Sequence, residues 1–172
     1  MFIALLQRYS LKFTFALALL IGLQLPHFLN LYETRLDAHY IESKGQLTQY
    51  QKLADILFAG DLNALLAKHK NSNVALFKAE TKVIETLVQR TELLHQKKLN
   101  LQGSLFERLY FLMAQINQPL FIETKNSYQA NIVLNKEAIT VGLIVATFTT
   151  LLLELLFQLF PFFNKKMKQS VQ

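Results

Sequence analysis

A chain of 172 residues has the length of one ordinary domain, and its 52% apolar against 17% charged residues is oilier than the usual soluble balance of about 45–50% and about 25%. Five glycines, three prolines and no cysteine exclude long disordered tails, a disulfide-stapled fold and a thiolate metal site. The formal charge of +6 does not mark one basic surface, because Arg8, Lys12, Lys165, Lys166 and Lys168 sit at the two ends of the chain.

Arg8 and Lys12 interrupt the first apolar stretch, and the run from Phe13 to Leu23 follows them. A basic segment before such a run is how a signal peptide begins. The one small-x-small triplet, Ala16-Leu17-Ala18, lies inside the run, however, and large residues stand where a peptidase needs small ones. Counted on through Leu25 and Phe28 to Leu31, the stretch predicts a retained transmembrane helix over 13–31, with 1–12 as a cytoplasmic or interfacial N-terminus.

The intervening residues 32–137 have helical periodicity and no alternation long enough for a strand. Leu29, Tyr32, Leu36, Tyr40, Leu47, Tyr50, Ala54 and Leu57 recur at spacings of three and four once Ser43 is counted in. They predict one long amphipathic helix continuing from the first span through Pro26. Gly60 reads as its C-terminal cap, Asp61 as the N-cap of a short helix from Leu62 to His69, and Asn71-Ser72-Asn73 as a turn. A second stripe of Leu76, Val83, Leu87, Leu94 and Leu101, widened by Ile84 and Val88, runs to a break at Gly103-Ser104. From Leu105 to Ile116 the chain is apolar on most sides and has to be covered by the bundle core, the outer leaflet or a partner. Pro119 is expected to end that helix, and Asn135 to cap the next.

Ala138 to Phe163 holds one ionisable group, Glu154, and one proline, Pro161. At ~1.5 Å per residue it reaches about 39 Å, more than the ~30 Å hydrocarbon core, and it predicts the second span. Lys165, Lys166 and Lys168 in the tail 164–172, like Arg8 and Lys12 before the first span, mark the cytoplasmic side. Both termini are therefore expected in the cytoplasm and 32–137 beyond the membrane, which in a bacterium is the periplasm. The predicted class is an all-α membrane protein, with two transmembrane helices flanking a periplasmic helical bundle or hairpin.

No phosphate loop, zinc helix, nucleophile elbow or calcium loop occurs. His27, His39, His69 and His95 are not helical neighbours of one another, so neither a metal site nor a cofactor site is expected. Lys68-His69-Lys70 reads as cations at a helix C-terminus. The central acids and bases nearly balance, which argues against nucleic acid. Glu154 breaks the local rule as a carboxyl inside a span, and Lys12, with Arg8 one turn away, is its candidate partner at matching depth; the alternative is a Glu154 that is protonated or reaches a water defect while Arg8 and Lys12 snorkel to the headgroups.

Gly22-Leu23-Gln24-Leu25-Pro26, then Phe28, Tyr32, Glu33, Arg35 and Leu36, and later Gly60-Asp61-Leu62 with Leu65, His69 and Ser72, resemble a bacterial family of small membrane proteins, domain of unknown function 2937. The resemblance implies a two-span envelope protein of a Gram-negative bacterium and supplies no activity or catalytic residue. Among the matched residues, Gln24, His27, Glu33 and Arg35 form a polar collar where the first helix leaves the membrane, fit to bond across helices or to headgroups. The function expected is that of a non-enzymatic inner-membrane scaffold or accessory subunit, touching lipid and binding an envelope partner or its own copies. A sensory module signalling through a partner, or a transporter accessory using Glu154, are the alternatives.

Overall fold

The computed structural model describes residues 2–131 and 135–169, with side chains described over 8–131 and 135–158. Lys165, Lys166 and Lys168 therefore fall outside the described side chains. Among the described residues all regular structure is helical: α1 (Phe2–Leu57), α2 (Leu62–Lys70), α3 (Ala75–Leu99), α4 (Leu105–Ala114), α5 (Pro119–Asn126) and α6 (Lys136–Gln169). Two of them, α1 and α6, are long and apolar enough to cross a membrane. The chain divides into two compact units, Met1–Leu29 with Ser127–Gln172, and Asn30–Asn126.

In the first unit, α1 and α6 meet through small residues. Ala18, Gly22 and Pro26 on α1, and Ala138, Gly142 and Ala146 on α6, are buried at intervals of one helical turn. A Cβ added to Gly22 would stand 2.8 Å from Gly142 Cα and 3.0 Å from Val145 Cβ, so glycine is needed for the two backbones to touch. Tyr128, shortly ahead of α6, bonds to Gln24, so α6 sets out from the Pro26 end and runs antiparallel to α1. The outward faces are apolar, with Phe13, Leu20, Ile21, Phe148, Leu152 and Leu156 among the exposed side chains. Asn135 caps α6, its Oδ1 accepting from the Ala138 N–H at 2.7 Å.

The second unit is built on an antiparallel pairing of the rest of α1 with α3. Lys98 meets Asp37 at 2.9 Å, His95 stacks on Tyr40 at 5.6 Å and Thr91 meets Ser43 at 2.6 Å. The Thr91 hydroxyl donates to the Leu87 carbonyl, so Ser43 donates to Thr91; the buried hydroxyls satisfy each other inside an otherwise apolar seam of Leu36, Ala54, Ile84, Leu87 and Leu94. Past Leu57 the chain turns through Ala59 (φ 52°) and Gly60 (φ 88°), the left-handed conformation that favours glycine. Asp61 then caps α2 by accepting from the Asn63 and Ala64 N–H groups.

Several expectations are corrected here. α1 does run unbroken through Pro26, but its buried stripe stops at Ala54 and Leu57 is exposed. On α3, Leu76 and Val83 are exposed, while Thr81 and Thr91 join Ile84, Leu87 and Leu94 on the inner face. Threonine fits these slots because each donates its hydroxyl back to the preceding turn, Thr81 to Phe77 and Thr91 to Leu87. Pro119 does not end a helix but opens α5, at the position where its missing N–H costs nothing; the preceding helix stops at Ala114. α6 continues through Pro161 past Phe163 to Gln169.

Candidate functional site: the polar collar of the first helix

Every collar residue is engaged within its own unit. In the first unit the Tyr128 hydroxyl donates to Gln24 Oε1 at 2.5 Å, and the Tyr128 ring packs against His27 at 5.6 Å and Phe28 at 5.3 Å. His27 Nε2 is buried without a hydrogen-bond partner among the described residues.

In the second unit, Arg108 of α4 grips Glu33 of α1 with both ends of its fork, Nε to Oε1 at 2.7 Å and Nη2 to Oε2 at 2.6 Å. The side chains are only 17% and 24% exposed, which makes this bidentate pair the best shielded ion pair described. Two residues along, Arg35 meets Glu123 of α5 at 3.4 Å, and His39 Nε2 meets the other Glu123 oxygen at 3.1 Å. Arg90 of α3 approaches His39 Nδ1 at 3.3 Å and Glu42 at 3.9 Å. Because arginine can only donate, Nδ1 is the acceptor and Nε2–H donates to Glu123. The cluster therefore joins α1, α3 and α5 with each carboxylate already matched by a cation, so its chemistry is that of a clamp.

A second polar group, unannounced by sequence spacing, stands at the far end of the same unit. The Tyr50 hydroxyl donates to Glu80 at 3.4 Å, and His69 Nδ1 lies 3.6 Å from the other Glu80 oxygen. That distance is beyond a hydrogen bond, and His69 Nδ1 is buried without a hydrogen-bond partner among the described residues. Burial, reinforced by the Glu80 charge, pushes the Tyr50 hydroxyl above its ordinary pKa. Among the described residues, no group of three or more His, Asp or Glu could hold a metal ion.

Glu154, Lys12 and Arg8 are all exposed, and no ion pair joins them. The Lys12 ammonium instead lies over the Tyr9 ring at 5.8 Å. Counted from the Gly22–Gly142 crossing, Lys12 lies about 15 Å and Glu154 about 18 Å along the two helices in the same direction. Glu154 is turned about 120° from the line of contact that Gly142 defines, which leaves its carboxyl facing away from α1.

The family model described as "Protein of unknown function (DUF2937)" matches residues 6–166. No curated protein and no solved structure matches the chain.

Proposed function

The chain belongs to the DUF2937 family, described as of unknown function, and we propose on physical grounds that it is a non-enzymatic inner-membrane protein with cytoplasmic termini, whose periplasmic helices dock an envelope partner. The placement in the bilayer is supported by spacing along α1. Tyr9 and His27 lie about 27 Å apart at ~1.5 Å per residue, close to the ~30 Å hydrocarbon thickness, with the cations Arg8 and Lys12 at the inner end. A ~30 Å slab entered at Glu137 leaves α6 near Phe157. Glu154 then belongs to the last turn inside the slab, from which a carboxyl reaches the headgroups.

The observation that carries the docking role is the open flank of the α1–α3 pair. Two helices bury one stripe each and leave a groove beside the seam, here about 660 Å³, lined by Gln46, Tyr50, Leu53, Val83 and Leu87. Leu53 and Val83 are exposed along it, and Lys82 and Arg90 stand on its rim. An apolar floor with a basic rim suits an acidic amphipathic helix. A photo-crosslinking side chain placed at Val83 or Leu53 in the full chain, in its native membrane, is expected to yield one discrete adduct heavier than the 19.9 kDa protein. Recovery of the uncrosslinked chain alone from both positions would overturn the reading.

A further inference from the structure

Within the first unit, the Gly22–Gly142 crossing fixes which way each charged side chain points. Lys12 stands ten residues before Gly22 on α1, and Glu154 twelve after Gly142 on α6. At ~100° per residue Lys12 is turned about 80° from the line of contact and Glu154 about 120°. Viewed along the pair from its Pro26 end, the first turn is anticlockwise and the second clockwise, because α1 and α6 are right-handed helices running antiparallel. Both turns lead to the same flank. Their heights agree as well, about 15 Å and about 18 Å from the crossing in the same direction. Both side chains are exposed, and with Arg8 they are the only charged side chains described at that end of the unit.

A flank that carries a cation beside an acid at one depth is complementary to itself. A twofold rotation about the membrane normal keeps every residue at its depth and sets α1 of one copy against α6 of the other. Lys12 then faces Glu154 of the second copy while Glu154 faces its Lys12, so one contact made twice matches both charges. Lipid serves the two groups unequally. At the level where the Glu154 carboxyl reaches the headgroups, phosphates receive Arg8 and Lys12 but repel the acid. Nearer the crossing the same flank carries Ala16, Leu143 and Thr150, the last with its hydroxyl bonded back to the Ala146 carbonyl at 2.7 Å. A second copy therefore meets small or apolar side chains there, against which a helix can pack closely.

We propose that the chain forms a twofold dimer within the membrane, held by reciprocal ion pairs between Lys12 of each copy and Glu154 of the other. The proposal rests on the two-span reading above and needs no envelope partner. Two full-length copies with different affinity tags are co-expressed, their membranes are washed with alkaline carbonate and solubilised in mild detergent, and one tag is captured while the other is measured. Lys12→Glu in both copies, or Glu154→Lys in both, is expected to lower co-capture at least about fivefold relative to the parent, because like charges then face one another. A Lys12→Glu copy expressed with a Glu154→Lys copy is expected to restore it, since each contact between the two again joins opposite charges. Misfolding of the single variants would not be repaired by mixing them. An ion pair within one chain predicts instead that only the doubly substituted chain recovers. Single variants that co-purify as the parent does, mixed variants that stay apart, or a parent that does not capture its own copy would each overturn the dimer. Release of the parent by carbonate would overturn the two-span reading, and the dimer with it.

Discussion

Replacing Arg108 by alanine should be among the most damaging single changes in the second unit. The substitution removes two charge-assisted hydrogen bonds of 2.6 and 2.7 Å and strands the Glu33 carboxylate, which is 24% exposed. Hydrogen bonds to charged groups contribute about 1.5–3 kcal/mol each, and breaking a fully buried pair costs about 3–5 kcal/mol. Residual solvent at both side chains reduces this, so the loss should be about 2–3 kcal/mol. For a chain of this size that corresponds to a midpoint shift of about 4–12 °C, measured by thermal circular dichroism of the detergent-solubilised protein. Arg108→Lys, which cannot fork, should lose roughly half as much. The double variant Glu33→Ala with Arg108→Ala should be less destabilised than the sum of the singles, with a coupling of about 1–2 kcal/mol. A midpoint for Arg108→Ala within about 1 °C of the parent, or strictly additive singles, would refute the clamp.

Two further substitutions test the crossing and the cap. Gly22→Leu forces a side chain into space where even a Cβ would lie 2.8 Å from the Gly142 backbone, and such overpacking costs about 1–3 kcal/mol. In the natively cysteine-free chain, cysteines replacing Ala18 and Ala146 should oxidise readily to a disulfide, and Gly22→Leu should suppress it; unchanged oxidation would contradict the crossing. At the start of α4, Glu107 Oε2 accepts from both the backbone N–H and the hydroxyl of Ser104, which holds its carboxyl below the ordinary 4.5. A folded-state pKa that is depressed gives a contribution present in full above the unfolded value and lost as pH falls through the folded one. Amide exchange of α4, corrected for intrinsic rates, should therefore accelerate on acidification below that range. Glu107→Gln should abolish this dependence, and an α4 indifferent to pH in both proteins would remove the cap from the account.

Punctuation in this sequence was more legible than facing. Gly60, Asp61 and Asn135 act where single residues dictate local geometry, through a positive φ at Gly60 and side-chain caps at Asp61 and Asn135. α1 was readable as one helix because apolar spacing continues on both sides of Pro26. The inward face of α3 was not, because Thr81 and Thr91 occupy core slots that a count of apolar letters assigns to Leu76 and Val83. Around residues 105–116 apolar letters lie on every side, and periodicity cannot choose a face when both are greasy. Glu33 and Arg35 stood out by position, but their partners, Arg108 and Glu123, come from distant helices and depend on how α3, α4 and α5 turn. For Glu154 and Lys12, helical rise can be counted from the chain, whereas the direction of each side chain depends on where the two helices touch.

The most direct test asks which side of the membrane each part of the chain occupies. Single cysteines are introduced in turn at Ile56 and at Arg8, and cells with a permeabilised outer membrane are treated with a maleimide that cannot cross the inner one. The account predicts labelling at position 56 without lysis, and at position 8 only after the inner membrane is opened. Equal labelling of both positions in unlysed cells, or of neither, would contradict it.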